Sequence, residues 1–472
     1  MTAVNYKKAS SYYLVGNLFS QGMSFLTVPI FTRILSTYDY GVVTTYNSWI
    51  GILSMVMGFT LYMGIRAAFI DYKDKIDNFM SVTTMFTIIS SALMGLFLFA
   101  GVVLLRINVS LTLVILCWLQ GMMSALTENY SMYLMMQYRF KLRTVIMILP
   151  NLLSAIGSII AILFVVRSNL YMGKIVPTAV INILFGGLVI LFVFKKSKVL
   201  YNIKFLKYGL AVSSPLILHG IGLNILSQSD RTMITWLADA SQTGIYSLVY
   251  NFSMLATVIT ASLDGVWVPW FTEKMKAQDI NTLNKRAVDY VNLMTYAMVC
   301  LLLSGPEVLK ILASPKYWEG INIIPPVVLA NYLIFMYALY VNVEHFYKKT
   351  PYITLNTLLA AGSNLVLNYI FIPHYGYVAA AYATLASYLL SLVLHATYAK
   401  KLNASIYPLR TFLRPLVHIL VTTVVFYLLQ NMPVIRWSLM FVYLGAMFFR
   451  EYKRIFEFFP EIEKKLFKKY AN

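Results

Sequence analysis

The chain has 472 residues, of which 59% are hydrophobic and only 12% are charged. Soluble domains carry about a quarter charged residues, so this composition excludes an ordinary soluble fold and indicates a helical protein that crosses a membrane several times. The net charge of +20 does not require a nucleic acid partner, because lysine and arginine accumulate on the cytoplasmic loops of membrane proteins.

Long apolar runs follow one another along the whole chain and predict about fourteen transmembrane helices. The predicted spans are 12–34, 40–63, 79–104, 109–134, 144–166, 171–194, 208–229, 244–272, 289–313, 321–347, 351–373, 377–399, 411–431 and 434–450. With the N-terminus placed inside, all but eight of the 38 lysine and arginine residues fall on the cytoplasmic side. This asymmetry predicts that both termini are cytoplasmic.

The predicted organisation follows the spans. It consists of an N-terminal six-helix bundle (1–194), a basic cytoplasmic linker (195–207), a second six-helix bundle (208–400), two additional transmembrane helices (401–450) and an amphipathic cytoplasmic tail (451–472). All outer connections are short, which leaves no room for a large external catalytic loop.

Two sequence matches suggest that the second bundle repeats the first. Leu35–Tyr46, with Gly41, resembles Leu237–Tyr250, with Gly244, and Leu149–Ala155 resembles Leu355–Ala361. The two matches share nearly the same offset, which equals six spans. Because six is even, both copies have the same orientation, and we expect a pseudo-two-fold axis along the membrane normal with a substrate path between the bundles.

Four predicted spans carry a line of polar residues on one helical face, which a helix surrounded by lipid would not keep. The lines are Tyr13, Asn17, Gln21 and Ser24 on span one; Thr44, Ser48, Tyr62 and Arg66 on span two; Ser213, Gly220, Asn224, Ser227 and Arg231 on span seven; and Tyr246, Tyr250, Ser253, Thr257, Thr260 and Asp264 on span eight. Spans one and two are the repeat mates of seven and eight, so we expect these lines to face a common cavity.

Three motifs resemble the Wzx-type polysaccharide repeat-unit flippases of the MOP (MATE-like) superfamily. They are Val15-Gly-Asn17 running to Pro29-Ile-Phe-Thr-Arg33 and Gly41; Ser229-Asp230-Arg231 followed by Gly244-Ile-Tyr246; and Val266-Trp-Val-Pro269-Trp-Phe. The resemblance covers spans one to twelve. It implies an all-α MATE-like fold that moves undecaprenyl-diphosphate-linked oligosaccharides to the outer leaflet of a bacterial inner membrane, by alternating access around a cationic cavity.

The same resemblance implies membrane lipid as a partner, together with a polysaccharide polymerase and its chain-length machinery. A diphosphate that crosses the membrane needs positive charge, and its glycan needs hydroxyls or amides. The candidate substrate contacts are Arg231, Arg66, Arg33, Asn17, Gln21, Asn224, Tyr246 and Tyr250.

Each candidate arginine has an ordinary alternative. Arg231 continues its polar line, but it also suits a solvated position at the outer mouth. Arg66 lies near an inner end, where the positive-inside bias accounts for it. Arg33 points away from the line on span one unless Pro29 kinks the helix.

Asp264 and Glu128 are the candidates for ion coupling, with Na⁺ or H⁺ as the ion, or for balancing the charge of the cavity arginines. Tight packing around a paired carboxylate is the alternative for Glu128. Asp230 and His219 share a face with leucines, which favours a structural hydrogen bond. Glu344 lies near an inner end, where we expect it to be solvated.

Three other functions compete with the flippase. A cation-coupled multidrug exporter and a peptidoglycan-precursor (lipid II) flippase belong to the same superfamily, whereas a polysaccharide polymerase is a membrane enzyme. An enzyme of that kind needs a large outer loop, so we predict a transporter and no catalytic residues. No metal-ligand spacing and no Walker-type glycine loop occur in the sequence, so ATP is not the expected direct energy source.

Overall fold

The computed structural model describes residues 26–107 and 109–458, together with Met23. The described residues form helices joined by short turns, without a strand among them. The helices are α1 (26–34), α2 (Thr37–Gly58), α3 (Leu61–Asp71), α4 (Ile76–Leu104), α5 (Leu111–Met136), α6 (Phe140–Ile160), α7 (Leu170–Lys196), α8 (Ile203–Leu237), α9 (Ala240–Ser253), α10 (Leu255–Lys276), α11 (Ile280–Leu312), α12 (Ile324–Phe346), α13 (Thr350–Leu402), α14 (Arg410–Leu428) and α15 (Pro433–Phe458). A π-helical turn extends α6, and a 3₁₀ segment, Pro315–Ile323, precedes α12.

Polar side chains determine where several helices begin. At the start of α2, the Ser36 hydroxyl accepts from the N–H of Asp39, and the Asp39 carboxylate accepts in return from the N–H of Ser36. Asn202 and Asp239 accept from the first N–H groups of α8 and α9. These caps satisfy N–H groups that have no partner within a helix.

Three of the long helical runs are broken. Phe59 and Thr60 adopt left-handed φ angles of 49° and 47° between α2 and α3, which meet at 40°. The segments of α8 before and after Pro215 meet at 55°, consistent with the missing N–H of proline. At Gly376, with φ 57°, α13 folds back as a hairpin, and its two halves run side by side, so that the Tyr352 and Tyr398 rings stack at 4.1 Å.

The helices form two bundles that meet along α2, α8 and α9. In the first bundle α5 packs against α2, α4 and α7, and α6 packs against α7; in the second, α12 packs against α13 and α11. The first bundle reaches the second because α2 packs along α9 and α8. Helices α14 and α15 pack against α11, on the second bundle.

A buried arginine attaches the C-terminal helices to the second bundle. Arg436 on α15 is fully buried, donates to the carbonyl of Leu303 at 2.8 Å and forms an ion pair with Glu307 on α11. Trp437 donates to the same carboxylate at 3.0 Å. Since a buried cation is costly without such partners, this pair determines how α15 docks.

The all-helical membrane fold is confirmed. By length and composition, nine described helices qualify as membrane spans, and two bent pairs raise that number to 11. The α13 hairpin contains two predicted spans, 351–373 and 377–399. The total of fourteen and the proposed domain boundaries remain predictions, and the residues Asn17 and Gln21 lie outside the described part of the chain.

Candidate functional site

An outer cavity of about 640 Å³ opens between the first bundle and α10. It lies near the predicted outer ends of α1, α2, α6 and α7. Its polar lining in the described residues consists of Thr27, Tyr40, Thr44, Asn47, Gln120, Asn151, Ser154, Ser158, Lys174, Thr178, Asn182, Asn251 and Thr257. No carboxylate belongs to this lining, which therefore offers amides, hydroxyls and one positive charge.

Lys174 is the cation of the outer cavity. Its Nζ lies 3.5 Å from the ring centroid of Phe31 on α1 and 5.8 Å from that of Tyr40 on α2. No carboxylate within the described ranges lies at salt-bridge distance from it. The side chain thus lies against aromatic faces at the cavity wall, and no described carboxylate pairs with its amine.

An inner cavity of about 560 Å³ lies one to three turns further along the same two helices, α2 and α5. Its third wall is α8, where His219, Gly220 and Asn224 line it. The polar lining in the described residues consists of Ser54, Thr60, Tyr62, Ser124, Glu128, Asn129, His219 and Asn224. Unlike the outer cavity, this one contains a carboxylate.

A polar bridge between the bundles occurs between the two cavities along α2. The Ser48 hydroxyl donates to Gln228 Oε1 at 3.2 Å, and the same oxygen accepts from Arg231 at 3.0 Å. Ser48 follows Asn47, which lines the outer cavity, and precedes Ile50, which lines the inner one. Arg231 lines neither cavity and lies beside the stretch of α2 that runs between them.

Arg231 is held from several sides. It is only 5% exposed, donates to the carbonyl of Ser227 at 2.7 Å, and its Cζ lies 4.7 Å above the Tyr250 ring. Arg231 and Tyr250, which the sequence predicts as substrate contacts, thus touch each other. Asn224 lines the inner cavity, as its polar line suggested, whereas Tyr246 is fully buried and belongs elsewhere.

Tyr246 belongs to a buried cluster around Asp230. The fully buried Asp230 carboxylate accepts from Tyr246, from Asn368 at 2.6 Å and from Thr384 at 2.6 Å. Asn368 also donates to Asn364 at 3.1 Å, while its own Oδ1 is buried without a hydrogen-bond partner. Asp230 and His219 were expected to share one structural face, but only Asp230 lies in this cluster, and His219 lines the inner cavity.

The remaining ionisable candidates occupy three different places. Asp264 on α10 is half-buried, accepts from the Tyr290 hydroxyl at 2.9 Å and lines neither cavity. Arg66 is exposed on α3, one turn beyond Tyr62. Glu128 opens on the inner cavity, and the described residues give it no salt-bridge partner, so the packed, paired carboxylate considered from the sequence is wrong.

The two repeat glycines meet at the outer ends of α2 and α9. A Cβ on Gly41 would lie 1.7 Å from the Ala240 carbonyl oxygen, and a Cβ on Gly244 would lie 2.1 Å from that of Thr37. Each glycine thus packs on the residue four positions before its mate. This small-xxx-small crossing brings the two backbones into direct contact and closes the predicted outer end between the bundles.

Arg33 belongs to this closure and does not line either cavity. It is exposed and donates to the carbonyls of Pro29 at 2.7 Å and Ile311 at 3.0 Å. Neighbouring bonds join the same two segments: Thr32 donates to the Leu312 carbonyl at 2.9 Å, and Tyr317 donates to that of Ser36 at 3.1 Å. The structure therefore places Arg33 in an outer clasp between the bundles, away from the predicted substrate path.

Glu344 is not solvated, contrary to the sequence-based expectation. Both Glu344 and His395 are fully buried, and their side chains approach to 2.9 Å between α12 and the second half of α13. The α13 hairpin brings His395 to Glu344, and this pairing has no signature along the chain. The pair joins α12 to the second half of α13 and lines neither cavity.

The outer cavity was missed at the sequence level because Lys174 was counted only as an outer topology residue. Two polar lines did carry a signal. Lys174, Thr178 and Asn182 recur every four residues on α7, and Asn151, Ser154 and Ser158 lie on one face of α6. Neither line lies on one of the four spans that the sequence places between the bundles.

These features define a class of protein: a multi-pass helical membrane protein with two bundles around polar cavities. The chain belongs to the polysaccharide biosynthesis protein family, whose model matches residues 6–275. It is also 23% identical over 396 residues to "Lsg locus putative protein 1" of Haemophilus influenzae, which covers 78% of this chain and 94% of that protein. This membership agrees with the resemblance to polysaccharide repeat-unit flippases that the three motifs suggested.

Solved structures share the fold at low sequence identity. A lipid II flippase, MurJ, in an inward closed conformation has a TM-score of 0.70 and 16% identity, covering 93% of this chain and 99% of that one. An inward-facing multidrug resistance MATE transporter has a TM-score of 0.58 and 15% identity, covering 84% and 99%. The chain thus shares its fold with a lipid II flippase and with a multidrug resistance transporter.

Proposed function

We propose that the protein is a flippase for undecaprenyl-diphosphate-linked oligosaccharide repeat units, moving them from the inner to the outer leaflet of a bacterial inner membrane. The observation that carries this proposal is the chemistry of the outer cavity. Amides and hydroxyls surround Lys174, and the described lining holds no carboxylate. Sugars present many hydroxyls, and a lipid diphosphate is an anion, so both parts match such a lining.

The same observation separates the proposal from a cation exporter. A cavity for cationic drugs requires negative charge at the substrate, and the outer cavity presents a lysine instead. The lipid II flippase remains the alternative within the superfamily, because lipid II also joins a prenyl diphosphate to sugars. The membership of the polysaccharide biosynthesis family supports the repeat-unit substrate.

Alternating access accounts for the closed outer end. In the proposed cycle, substrate enters from the cytoplasmic side, Arg231 binds its diphosphate beside the stretch of α2 between the cavities, and separation of Gly41 from Gly244 opens the outer side. The contacts between these glycines consist of backbone packing and weak Cα–H···O bonds of about 0.5–1 kcal/mol each, so the crossing can separate and re-form.

The Asp230 cluster is the proposed coupling site. A fully buried carboxylate is costly unless it is protonated or close to a cation. Its neighbours supply neutral oxygens, including the unpartnered Oδ1 of Asn368. This set can hold a proton or Na⁺, which makes Asp230 a better candidate than Asp264 or Glu128. Both coupling ions remain open, as does an association with a polymerase.

Purified full-length protein in liposomes tests the proposed function. One vesicle set receives an undecaprenyl-diphosphate-linked oligosaccharide extracted from cells that lack the flippase, a second receives lipid II, and a third receives a cationic dye. We expect accelerated flipping of the oligosaccharide only, measured by access of an added glycosidase to the glycan. Faster flipping of lipid II than of the oligosaccharide, or transport of the dye alone, would overturn the proposal.

A further inference from the structure

We propose that the inner cavity is a separate sugar-binding site, in which the Glu128 carboxylate accepts hydrogen bonds from sugar hydroxyls. This inference rests on the proposed flippase function and adds a second station to it. The inner cavity and the outer cavity use the same faces of α2 and α5, one further along than the other. A glycan that moves outward along these helices meets the inner cavity first.

The Glu128 carboxylate has no paired cation among the described residues. Its side chain is exposed to the inner cavity, and within the described residues it has no lysine or arginine at salt-bridge distance. A carboxylate at membrane depth without a cation is costly, and such residues mark functional sites. Its two oxygens offer about four acceptor positions, which suits adjacent hydroxyls of one sugar ring.

A buried nitrogen of His219 points to a ligand independently of Glu128. His219 on α8 lines the same cavity, and its Nδ1 is buried without a hydrogen-bond partner in the described structure. A buried polar atom without a partner is rare, because its desolvation is not compensated. A sugar hydroxyl that donates to or accepts from this nitrogen, according to its tautomer, removes that cost.

The size and lining of the inner cavity favour a sugar over a bare cation. Its volume of about 560 Å³ falls within the range of about 300–1,000 Å³ that is typical of small-molecule pockets. Glu128 is the only carboxylate in the described lining, and the described residues contain no group of three acidic, histidine or cysteine side chains that would hold a metal ion. Asn129 and Asn224 provide amides at the walls.

Small residues keep the inner cavity open. A Cβ on Gly51 would only reach ordinary contact distance, 3.8 Å, from Asn224 Oδ1, so the wall is not tightly packed there. A leucine at that position extends beyond its Cβ into the cavity. Gly51 lines the inner cavity and not the outer one, so filling the inner space leaves the outer lining intact.

The test measures binding of the glycan alone, released from its lipid and phosphates by mild acid and radiolabelled, to full-length protein in nanodiscs. Glu128→Gln removes the carboxylate at constant size, and Gly51→Leu fills the cavity. Glu319→Gln, on the exposed outer 3₁₀ segment, is the matched control. All variants are first compared with the wild type for monodispersity by size-exclusion chromatography.

We expect Glu128→Gln to weaken glycan binding roughly tenfold or more, since a hydrogen bond to a charged group is lost. Gly51→Leu should abolish binding at the inner cavity, and Glu319→Gln should bind as the wild type does. Wild-type binding by both cavity variants would overturn the inference.

Flipping of the complete lipid-linked oligosaccharide separates the two hypotheses. If wild type flips it and both inner-cavity variants retain wild-type binding and rates, only the inner site is wrong. If the wild type neither binds the glycan nor flips its lipid-linked form, the proposed function fails as well.

Discussion

The outer and inner cavities share two walls but differ in charge. Both use α2 and α5, yet the outer cavity contains Lys174 and no described carboxylate, whereas the inner cavity contains Glu128. The difference lies in the third wall and in which turns of α5 face the space. The two cavities therefore present different ionisable groups, a carboxylate in the inner one and an amine in the outer one.

The difference in lining gives each cavity a different task. The inner cavity offers acceptors to sugar hydroxyls, and the outer cavity offers a cation beneath the closed glycine crossing. Arg231 lies beside the stretch of α2 between them, with its charge already directed to carbonyl and amide oxygens. Substitutions at single residues can distinguish the two tasks by experiment.

The largest effect is expected at the outer closure. Gly41→Ala places a methyl group where the Ala240 carbonyl now lies, so the outer end cannot close in its present geometry. We expect flipping to fall to background and an impermeant maleimide to label a Thr178→Cys probe in the outer cavity from outside. The background chain has Cys117 and Cys300 replaced by alanine.

Gly187→Ala is the control for the glycine variant, because nothing lies within 4 Å of a Cβ at that position. It should flip as the wild type does. Normal flipping by Gly41→Ala with an unlabelled Thr178→Cys probe would show that the crossing does not gate the outer cavity.

A smaller loss is expected when the outer cavity loses its charge. Lys174→Gln removes a charged hydrogen-bond donor, worth about 1.5–3 kcal/mol, and should lower the apparent affinity for the lipid-linked oligosaccharide roughly 10–100-fold. Lys174→Arg should retain most of the wild-type affinity. Lys310→Gln is the matched control, since Lys310 also lies over an aromatic ring, at 5.3 Å from that of Trp318, outside both cavities.

If Lys174→Gln transports as well as Lys310→Gln does, Lys174 serves only as an interfacial lysine. A loss confined to the glycan released from its lipid, with an unchanged affinity for the diphosphate carrier, would assign the lysine to sugar recognition.

Asp230→Asn tests coupling apart from substrate binding. The variant keeps the size of the side chain but removes the charge that a proton or Na⁺ neutralises, so we expect about a tenfold lower rate under an ion gradient. The rate without a gradient should match the wild type. Asp239→Asn is the control, because asparagine caps a helix as well as aspartate does.

Separate sodium and proton gradients then identify the ion. A gradient that still accelerates flipping by Asp230→Asn as much as by the wild type would exclude this cluster from coupling.

The smallest effect is expected for Arg33→Gln. The exposed hydrogen bond to Ile311 is worth about 0.5–1.5 kcal/mol, so its loss should increase outside labelling of the outer cavity only a few-fold. Substrate affinity should stay unchanged. A large loss of affinity in Arg33→Gln, absent from the exposed control Arg167→Gln, would restore Arg33 as a substrate contact.

Much of the fold follows from the sequence, because its determinants are local or periodic. Apolar runs of membrane length, the lysine and arginine asymmetry and caps such as Ser36 lie within one helix or loop each. The repeat that contains Gly41 and Gly244 is also visible in the sequence, whereas the direct contact of the two glycines is visible only in the structure.

The site was harder to predict, because the residues on one helical face do not reveal which other helices pack against it. Asp230 lies on a helical face that also carries leucines. In the structure, Asn368 and Thr384 from the α13 hairpin surround its carboxylate with polar groups. Arg33 is close to span one in sequence, but its partner Ile311 comes from the second bundle. Neither pairing depends on spacing along one helix.

The sequence by itself determined the membrane class, the order of the spans, the family and the importance of α2, α8 and α9. Only the tertiary structure decided that Lys174 and Glu128 line different cavities, because helices from distant parts of the chain enclose each space. The physical reason is that one helix supplies a single wall of a cavity. Charge, volume and closure arise only where three or more walls meet.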